Sequence, residues 1–132
     1  MKDIHISGVK DCYIQPSVDL VESTGICSIS GESFMEETGA FYAPIVEWVK
    51  EYAKAHDKIS FTFSLTYYNT STSKWLLSLL KELREMEKRG GDVTVKWYYT
   101  PDDTDMNDDI TDYMMDTGLK IDMMPFDEEQ DK

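Results

Sequence analysis

A run of side chains that could cap a helix or accept a phosphate stands where a predicted strand gives way to a predicted helix. The run is Asn69-Thr70-Ser71-Thr72-Ser73, and Lys74 and Trp75 follow it. Hydroxyl groups at this place can cap the free N–H groups of a helix, so we expect one or two of them to do so and the others to be exposed on a tight loop. An exposed hydroxyl could accept a phosphate, because the positive end of the helix dipole stabilises anions. The residue types therefore allow two interpretations, capping and regulatory phosphorylation.

Two strongly patterned segments must position this run. Residues 59–67 alternate apolar and polar side chains, which predicts a half-buried strand. The apolar residues after the run fall on one face of a predicted helix: Leu76, Leu79, Leu80, Leu83 and Met86. Gly90-Gly91 ends this helix. Since open α/β sheets carry their functional sites at the carboxyl ends of strands, the junction is the candidate site.

The rest of the chain predicts an alternation of strands and helices. Further strands are predicted at Cys12–Gln15, Ile26–Ser30, Val93–Tyr99 and Leu119–Met123. One more helix begins near residues 38–40 with Pro44 in its first turn, and a short acidic helix around Ile110 ends at Gly118. The order β-β-α-β-α-β-α-β predicts an α/β domain with a mainly parallel or mixed sheet, helices packed on it, and an antiparallel hairpin formed by the opening pair at one edge. We expect one domain over residues 1–126 and a flexible acidic tail over residues 127–132.

Composition and charge exclude several classes of function. The 132 residues are 41% hydrophobic, enough for a core, and the net charge is −13. Residues 101–132 hold 12 of the 26 acidic residues and only 2 of the 13 basic ones. Such a surface repels nucleic acid and anionic membranes. The sequence has no long apolar run and no secretory signal, and its only cysteines are Cys12 and Cys27. We therefore expect a cytoplasmic protein with reduced thiols.

Catalytic and metal-binding motifs are lacking in the sequence. His5 and His56 are the only histidines, and neither belongs to a nucleophile–base motif. No glycine-rich phosphate loop occurs, so we expect no bound nucleotide or other cofactor, and any kinase must be a separate protein. Residues 103–107 imitate the start of a calcium loop, but Asp108 stands where glycine is needed and Met114 where glutamate is needed. We therefore expect no metal site and no enzyme.

The junction resembles the core motif of a known family. Residues 65–74 are similar to the motif of the SiaC family of bacterial regulatory phosphoproteins, small proteins that resemble the STAS domains of anti-anti-sigma factors. The resemblance extends to residues 45–49, to residues 93–99, and to His5-Ile6 with Gly8. It spans nearly the whole chain and implies a single STAS-like domain.

The resemblance implies a phosphorylation switch with Thr70 as the phosphoacceptor. It implies a serine/threonine kinase of the histidine-kinase-like ATPase fold, a metal-dependent serine/threonine phosphatase, and an unphosphorylated form that binds and activates a diguanylate cyclase. The protein would thereby control cyclic di-GMP and biofilm formation. Asn69 and Ser71 would orient Thr70, and Lys74 could pair with the phosphate. The residues expected around the phosphosite and its partner surface are Tyr68, Asn69, Ser71, Thr72, Ser73, Lys74 and Trp75.

Alternatives remain open at this stage. Trp75 could face a partner or could lie at the margin of the core. Tyr68 and the pair Thr72-Ser73 depart from the family motif, which leaves the downstream partner open. The protein could instead antagonise another regulator, such as an anti-sigma factor, or be a small enzyme or ligand-binding domain that uses the same crevice.

Overall fold

The computed structural model describes residues 1–10 and 14–126. The elements in this part of the chain are β1 (Ile4–Ile6), β2 (Val9–Lys10), β3 (Ile14–Gln15), β4 (Ser17–Val21), β5 (Ile26–Ser33), α1 (Thr38–Ala55), β6 (Lys58–Tyr68), α2 (Thr70–Lys88), β7 (Asp92–Tyr99), α3 (Thr104–Thr117) and β8 (Asp122–Pro125). The predicted alternation of strands and helices is confirmed from β5 onward. Among the residues described, no helix is both long and apolar enough to cross a membrane.

Six strands form one mixed sheet in the order β1-β4-β5-β6-β7-β8. The strands from β5 to β8 are parallel, whereas β4 is antiparallel to both β1 and β5. Parallel neighbours need crossover connections, which α1, α2 and α3 supply. A separate antiparallel pair, β2 and β3, is joined by two backbone hydrogen bonds between Ile14 and Phe34 to the chain just after β5. The predicted mixed sheet of an α/β domain is confirmed.

The core is built on the alternation of β6, the central strand. Four of its residues are buried with 0–1% of their surface exposed: Ile59, Phe61, Phe63 and Leu65. Phe63 stacks on Trp97 of β7 with ring centroids 4.5 Å apart, and Trp97 stacks on Tyr113 of α3 at 5.6 Å. These aromatic contacts fasten α3 to the sheet.

All three helices cover the same face of the sheet. Their buried side chains join the inward-pointing strand residues in one core, and α2 lies between α1 and α3. The alternate strand residues point the other way and are polar, as in Ser28, Thr62 and Lys96, which are neighbours across β5, β6 and β7. The domain therefore has two layers, with the carboxyl ends of its parallel strands meeting the helix starts along one edge.

The opening antiparallel hairpin was predicted with the wrong strand as the partner of β5. The antiparallel neighbour of β5 is β4, not the segment Cys12–Gln15. Of that segment Cys12 and Tyr13 lie outside the described residues, and Ile14–Gln15 is β3. β4 was missed, although Val18 and Leu20 alternate with polar residues, because five residues give a weak periodic signal.

Pro44 lies in the second turn of α1, not in the first turn as predicted. The helix begins at Thr38, within the predicted range, so Pro44 is its seventh residue. Its missing N–H leaves the carbonyl of Ala40 without a helical partner, which water can replace because both residues are exposed. The exposed position explains why the helix continues through proline.

The C-terminal strand is shifted from the predicted Leu119–Met123 to Asp122–Pro125. Gly118 ends α3 in the left-handed conformation at φ +76°, as the sequence predicted. Leu119 and Ile121 are then buried in the connection instead of lying in the strand. The predicted tail over residues 127–132 lies outside the described residues.

Gly25 allows a stability prediction, because it packs closely at φ +69° while Gly90 at φ +95° faces open space. A methyl group on Gly25 would overlap the Tyr52 hydroxyl and lie 3.0 Å from the carbonyl oxygen of Lys58. Both Gly→Ala changes incur about 1–2 kcal/mol of left-handed strain. Because of overpacking, we expect Gly25→Ala to lower the free energy of unfolding by about 1–3 kcal/mol more than Gly90→Ala does. Urea denaturation of the two variants measures this difference. Equal losses for Gly25→Ala and Gly90→Ala would contradict this packing account.

Candidate functional site

A single residue, Asn69, separates the end of β6 at Tyr68 from the start of α2 at Thr70. The predicted site residues therefore occupy the last position of β6, the single linking position and the first two turns of α2. They were expected on a tight loop, and this expectation was wrong. The junction lies at the carboxyl end of the central parallel strand, where α/β sheets place their sites.

Asn69 is the N-cap of α2, so the cap is an amide and not one of the predicted hydroxyls. Its Oδ1 accepts hydrogen bonds from the Thr72 backbone N–H at 3.0 Å, from Thr72 Oγ1 at 2.7 Å and from Ser71 Oγ at 3.1 Å. Its Nδ2 donates to the Met35 carbonyl at 3.2 Å, and its backbone N–H donates to the Ser33 carbonyl at 3.1 Å. The first three bonds cap α2, and the last two tie its start to the end of β5 and the residues just after it.

A chain of hydroxyl groups reaches Asn69 from inside the protein. Tyr42 Oη donates to Ser33 Oγ at 2.8 Å, and Ser33 Oγ lies 2.9 Å from Thr72 Oγ1. Because the Thr72 proton goes to Asn69, Ser33 must be the donor to Thr72. Ser33 and Thr72 have 0% of their surface exposed. The hydroxyl of Thr72 is thus a structural group and is closed to any modifying enzyme.

A second hydrogen-bond chain leaves α2 toward α3. Tyr113 Oη donates to Tyr68 Oη at 3.1 Å, and Tyr68 Oη donates to Asp109 Oδ2 at 2.9 Å. Ser73 Oγ, 2.7 Å from Tyr113 Oη, must then donate to it. Burial raises the pKa of Tyr68 and of Tyr113 above the ordinary phenol value, so both stay protonated donors. Ser73 and Tyr68 therefore hold α3 against the junction.

Thr70 differs from the other hydroxyl residues of the run because it is exposed. Ser71 and Ser73 are half-buried and engaged in the bonds above, and Thr72 is buried. Among the described residues, the backbone N–H groups of Thr70 and Ser71 have no acceptor, as expected for the first turn of a helix. The first turn therefore offers one accessible hydroxyl beside two free donors.

Lys74 lies one turn after Thr70 on the same side of α2. Residues four apart on a helix are neighbours on its surface, and both side chains are exposed. The first turn of α2 contains no acidic residue. A dianion on Thr70 would therefore meet an ammonium group and the positive end of the helix dipole, with no carboxylate from the same turn opposing it.

Trp75 packs where α2 meets α1. A Cβ on Gly39 would lie 3.4 Å from the Trp75 ring, so the indole covers the first turn of α1 at close range. Trp75 is half-buried and belongs to the margin of the core. Of the two interpretations left open for this residue, its contacts favour the structural one.

An aromatic surface beside the junction was missed by the sequence reasoning. Phe34 and Tyr67 are 51% and 50% exposed, and their ring centroids lie 6.1 Å apart. Phe34 opens onto a groove of about 830 Å³, which we call the Phe34 groove. Its lining residues are Gln15, Phe34, Met35, Glu36, Glu37, Ala40, Phe41 and Asn69. The missed signal was Phe34 itself, an aromatic residue between Ser33 and Met35 just after a strand.

The acidic run that imitates a calcium loop serves as a helix cap. Asp103 accepts a hydrogen bond from the Met106 backbone N–H at 3.0 Å and so begins α3. Within residues 1–10 and 14–126, no three His, Cys, Asp or Glu side chains are grouped so as to hold a metal ion.

Comparison with known proteins assigns the sequence to a family. The sequence model of the SiaC family, described as regulatory phosphoproteins, matches residues 9–126. A protein of Pseudomonas aeruginosa strain UCBPP-PA14, itself described as uncharacterised, is 27% identical over 100 residues. That match covers 75% of this chain and 77% of the relative.

Solved structures of SiaC from Pseudomonas aeruginosa share the fold. Apo-SiaC is 22% identical with a TM-score of 0.83, and the match covers 94% of this chain and 99% of that one. The crystal structure of the diguanylate cyclase SiaD in complex with its activator SiaC contains a chain that is 21% identical with a TM-score of 0.86. This match covers 94% of the present chain and 100% of the other.

The Asn69 cap yields a stability prediction. Asn69→Ala removes the acceptor of three donors, one of them the buried Thr72 hydroxyl, and we expect a loss of about 2–3 kcal/mol in the free energy of unfolding. Asp103→Ala, which removes a cap with one donor, is the control, with an expected loss of about 1 kcal/mol. Asn69→Asp keeps the acceptor and should lose less than Asn69→Ala. Urea denaturation measures all three, and an equal loss for the two alanine variants would contradict the role of the buried chain.

Tyr42 yields a prediction for alkaline pH. Burial raises the pKa of Tyr42 to about 12, above the ordinary phenol value of about 10. The protonated Tyr42 phenol therefore makes its full contribution to the stability of the fold below about pH 10. This contribution is lost as the pH rises from about 10 to about 12. We expect the wild type to lose about 1 kcal/mol more stability than Tyr42→Phe between pH 8 and pH 11. Equal losses of stability in the wild type and in Tyr42→Phe would show that the pKa of the Tyr42 phenol is not raised.

Proposed function

The chain belongs to the SiaC family of regulatory phosphoproteins, and on this basis we propose that it is a non-enzymatic switch controlled by phosphorylation of Thr70. A serine/threonine kinase of the histidine-kinase-like ATPase fold adds the phosphate, and a metal-dependent serine/threonine phosphatase removes it. The effector is a diguanylate cyclase, so the switch regulates cyclic di-GMP and biofilm formation. The description of Pseudomonas SiaC as the activator of the cyclase SiaD supports this choice of effector.

The observation that carries the proposal is that Thr70 differs from the neighbouring hydroxyl residues in exposure and in hydrogen bonding. It is the exposed hydroxyl residue of the run, while Ser71, Thr72 and Ser73 bond to Asn69 or Tyr113. A kinase must bring the hydroxyl oxygen into line with the γ-phosphate of its nucleotide, which requires access. Thr70 satisfies this requirement without any unfolding of α2.

The charges at the start of α2 suit a phosphate at Thr70. Phosphothreonine carries about −1.5 to −2 charges at neutral pH. The free N–H groups of Thr70 and Ser71 lie in the first turn of α2, and Lys74 lies one turn after Thr70 on the same side of the helix. These groups would hold the phosphate at the surface of the junction, where Asn69 keeps the backbone in place.

Phosphorylation can switch binding through charge and size alone. The exposed rings of Phe34 and Tyr67 lie beside the junction, and exposed aromatic residues are common at the centre of protein interfaces. A partner that covers this aromatic surface and the Thr70 hydroxyl would have to desolvate a dianion after phosphorylation. The cap formed by Asn69 does not involve the Thr70 side chain, so the fold is unchanged in both states.

We expect phosphothreonine at position 70 to weaken binding to the purified cyclase at least tenfold, or by about 1.4 kcal/mol, because the interface must bury the dianion. Calorimetric titration of the cyclase measures this effect. Phosphoserine at position 78 is the matched control, since Ser78 is exposed two turns along the same helix. It should change the affinity less than about twofold.

Two results would contradict the proposal. One is equal affinity of the cyclase for the unmodified protein and for the protein phosphorylated at Thr70. The other concerns the phosphosite itself: phosphate that persists in Thr70→Ala, isolated from its own host, would assign the modification to another residue.

A further inference from the structure

The Phe34 groove combines an apolar floor with an acidic rim. Phe34, Met35 and Phe41 supply the apolar surface, and the adjoining Glu36 and Glu37 are exposed. Among the described residues that line the groove, two are carboxylates and none is lysine or arginine. The groove therefore attracts a group that is both apolar and positively charged.

Glu36 and Glu37 do not serve the helix that follows them. Glu37 occupies the N-cap position of α1, yet its side chain makes no capping hydrogen bond. Glutamate is a poor N-cap residue compared with serine, threonine, aspartate or asparagine. Among the described residues, neither carboxylate takes part in an ion pair, whereas the nearby Glu32 is paired with Lys10 at 3.7 Å. Both carboxylates at the rim are therefore available to a ligand.

Phe34 is exposed on a backbone that hydrogen bonds hold in place. Its backbone N–H donates to the Ile14 carbonyl at 2.9 Å, and its carbonyl accepts from the Ile14 N–H at 3.1 Å. Because the backbone is already fixed, covering this ring incurs no further loss of backbone entropy, which favours binding. The neighbouring ring of Tyr67 extends the apolar surface beyond the groove.

We propose that the Phe34 groove binds a segment of a protein partner that carries a large apolar side chain flanked by lysine or arginine. The apolar side chain packs against Phe34 and Phe41, and the cations pair with Glu36 and Glu37. Charge complementarity identifies this occupant, because the same carboxylates repel the phosphates of lipids and nucleic acids. The proposal deepens the proposed function, in which a partner covers Phe34, by giving the chemistry of the segment bound there, but it does not depend on phosphorylation of Thr70.

The experiment uses the full, unphosphorylated chain and three fluorescent peptides of equal length. One is an amphipathic peptide of leucine and lysine, the second replaces leucine by serine, and the third replaces lysine by glutamate. We expect only the leucine–lysine peptide to bind in fluorescence anisotropy at physiological salt. Phe34→Ser, and the double variant Glu36→Gln with Glu37→Gln, should each weaken its binding at least about fivefold.

Matched controls separate the groove from general attraction to an acidic protein. Ile26→Ser removes an apolar residue that is 62% exposed at the opposite end of β5. Asp105→Asn with Asp108→Asn removes two exposed charges on α3. Each control should change the affinity less than about twofold.

Four results would overturn the proposal. Equal binding of the serine–lysine peptide, or equal weakening by the Asp105 and Asp108 control, would show attraction by net charge alone. Equal binding of the leucine–glutamate peptide would remove any role for Glu36 and Glu37. Absence of binding by the leucine–lysine peptide would show that the groove does not accept this chemistry. None of these results bears on phosphorylation of Thr70, so the two proposals can fail independently.

Discussion

The side-chain amide of Asn69 is the interaction on which the arrangement of the site depends. Its oxygen accepts three hydrogen bonds from the first turn of α2, and its nitrogen donates to Met35 beyond the end of β5. The amide thereby fixes the residue at which the helix begins, and so determines that Thr70 occupies the first helical position. A buried chain of hydroxyls from Tyr42 through Ser33 and Thr72 ends on the same oxygen. A group with so many buried partners is costly to remove or to rotate.

The two hydrogen-bond chains divide the hydroxyl groups of the run by role. One chain includes Thr72, on the side of α2 that faces α1. The other includes Ser73, on the side that faces α3. Thr70 lies outside both chains and is exposed at the surface, one turn before Lys74. A rigid helix start therefore presents one modifiable oxygen beside a surface suited to a partner, and a change of charge there needs no change of fold.

The sequence predicted the parts of the fold whose signals are local and missed those that depend on distant partners. The alternation of β6, the apolar face of α2 and the glycine at position 118 are local, and each predicted its element. β4 is short and is recognised by its pairing with β1 and β5. The place of the candidate site followed from the same local patterns. The choice of Asn69 over the neighbouring hydroxyls as the cap depends on Ser33 and Met35, more than thirty residues away. The exposure of Phe34 depends on the backbone bonds that join it to Ile14, which no periodicity reveals.

The central claim is that Thr70 accepts the phosphate while the Asn69 cap stays intact. The most direct test is a backbone amide NMR spectrum, with hydrogen exchange, recorded before and after the kinase has added one phosphate. The account predicts a single phosphothreonine at position 70, shifted amide signals for Thr70 and Ser71, and unchanged exchange protection of the Thr72 amide. Phosphate on Ser71, Thr72 or Ser73, or loss of protection at Thr72, would contradict it.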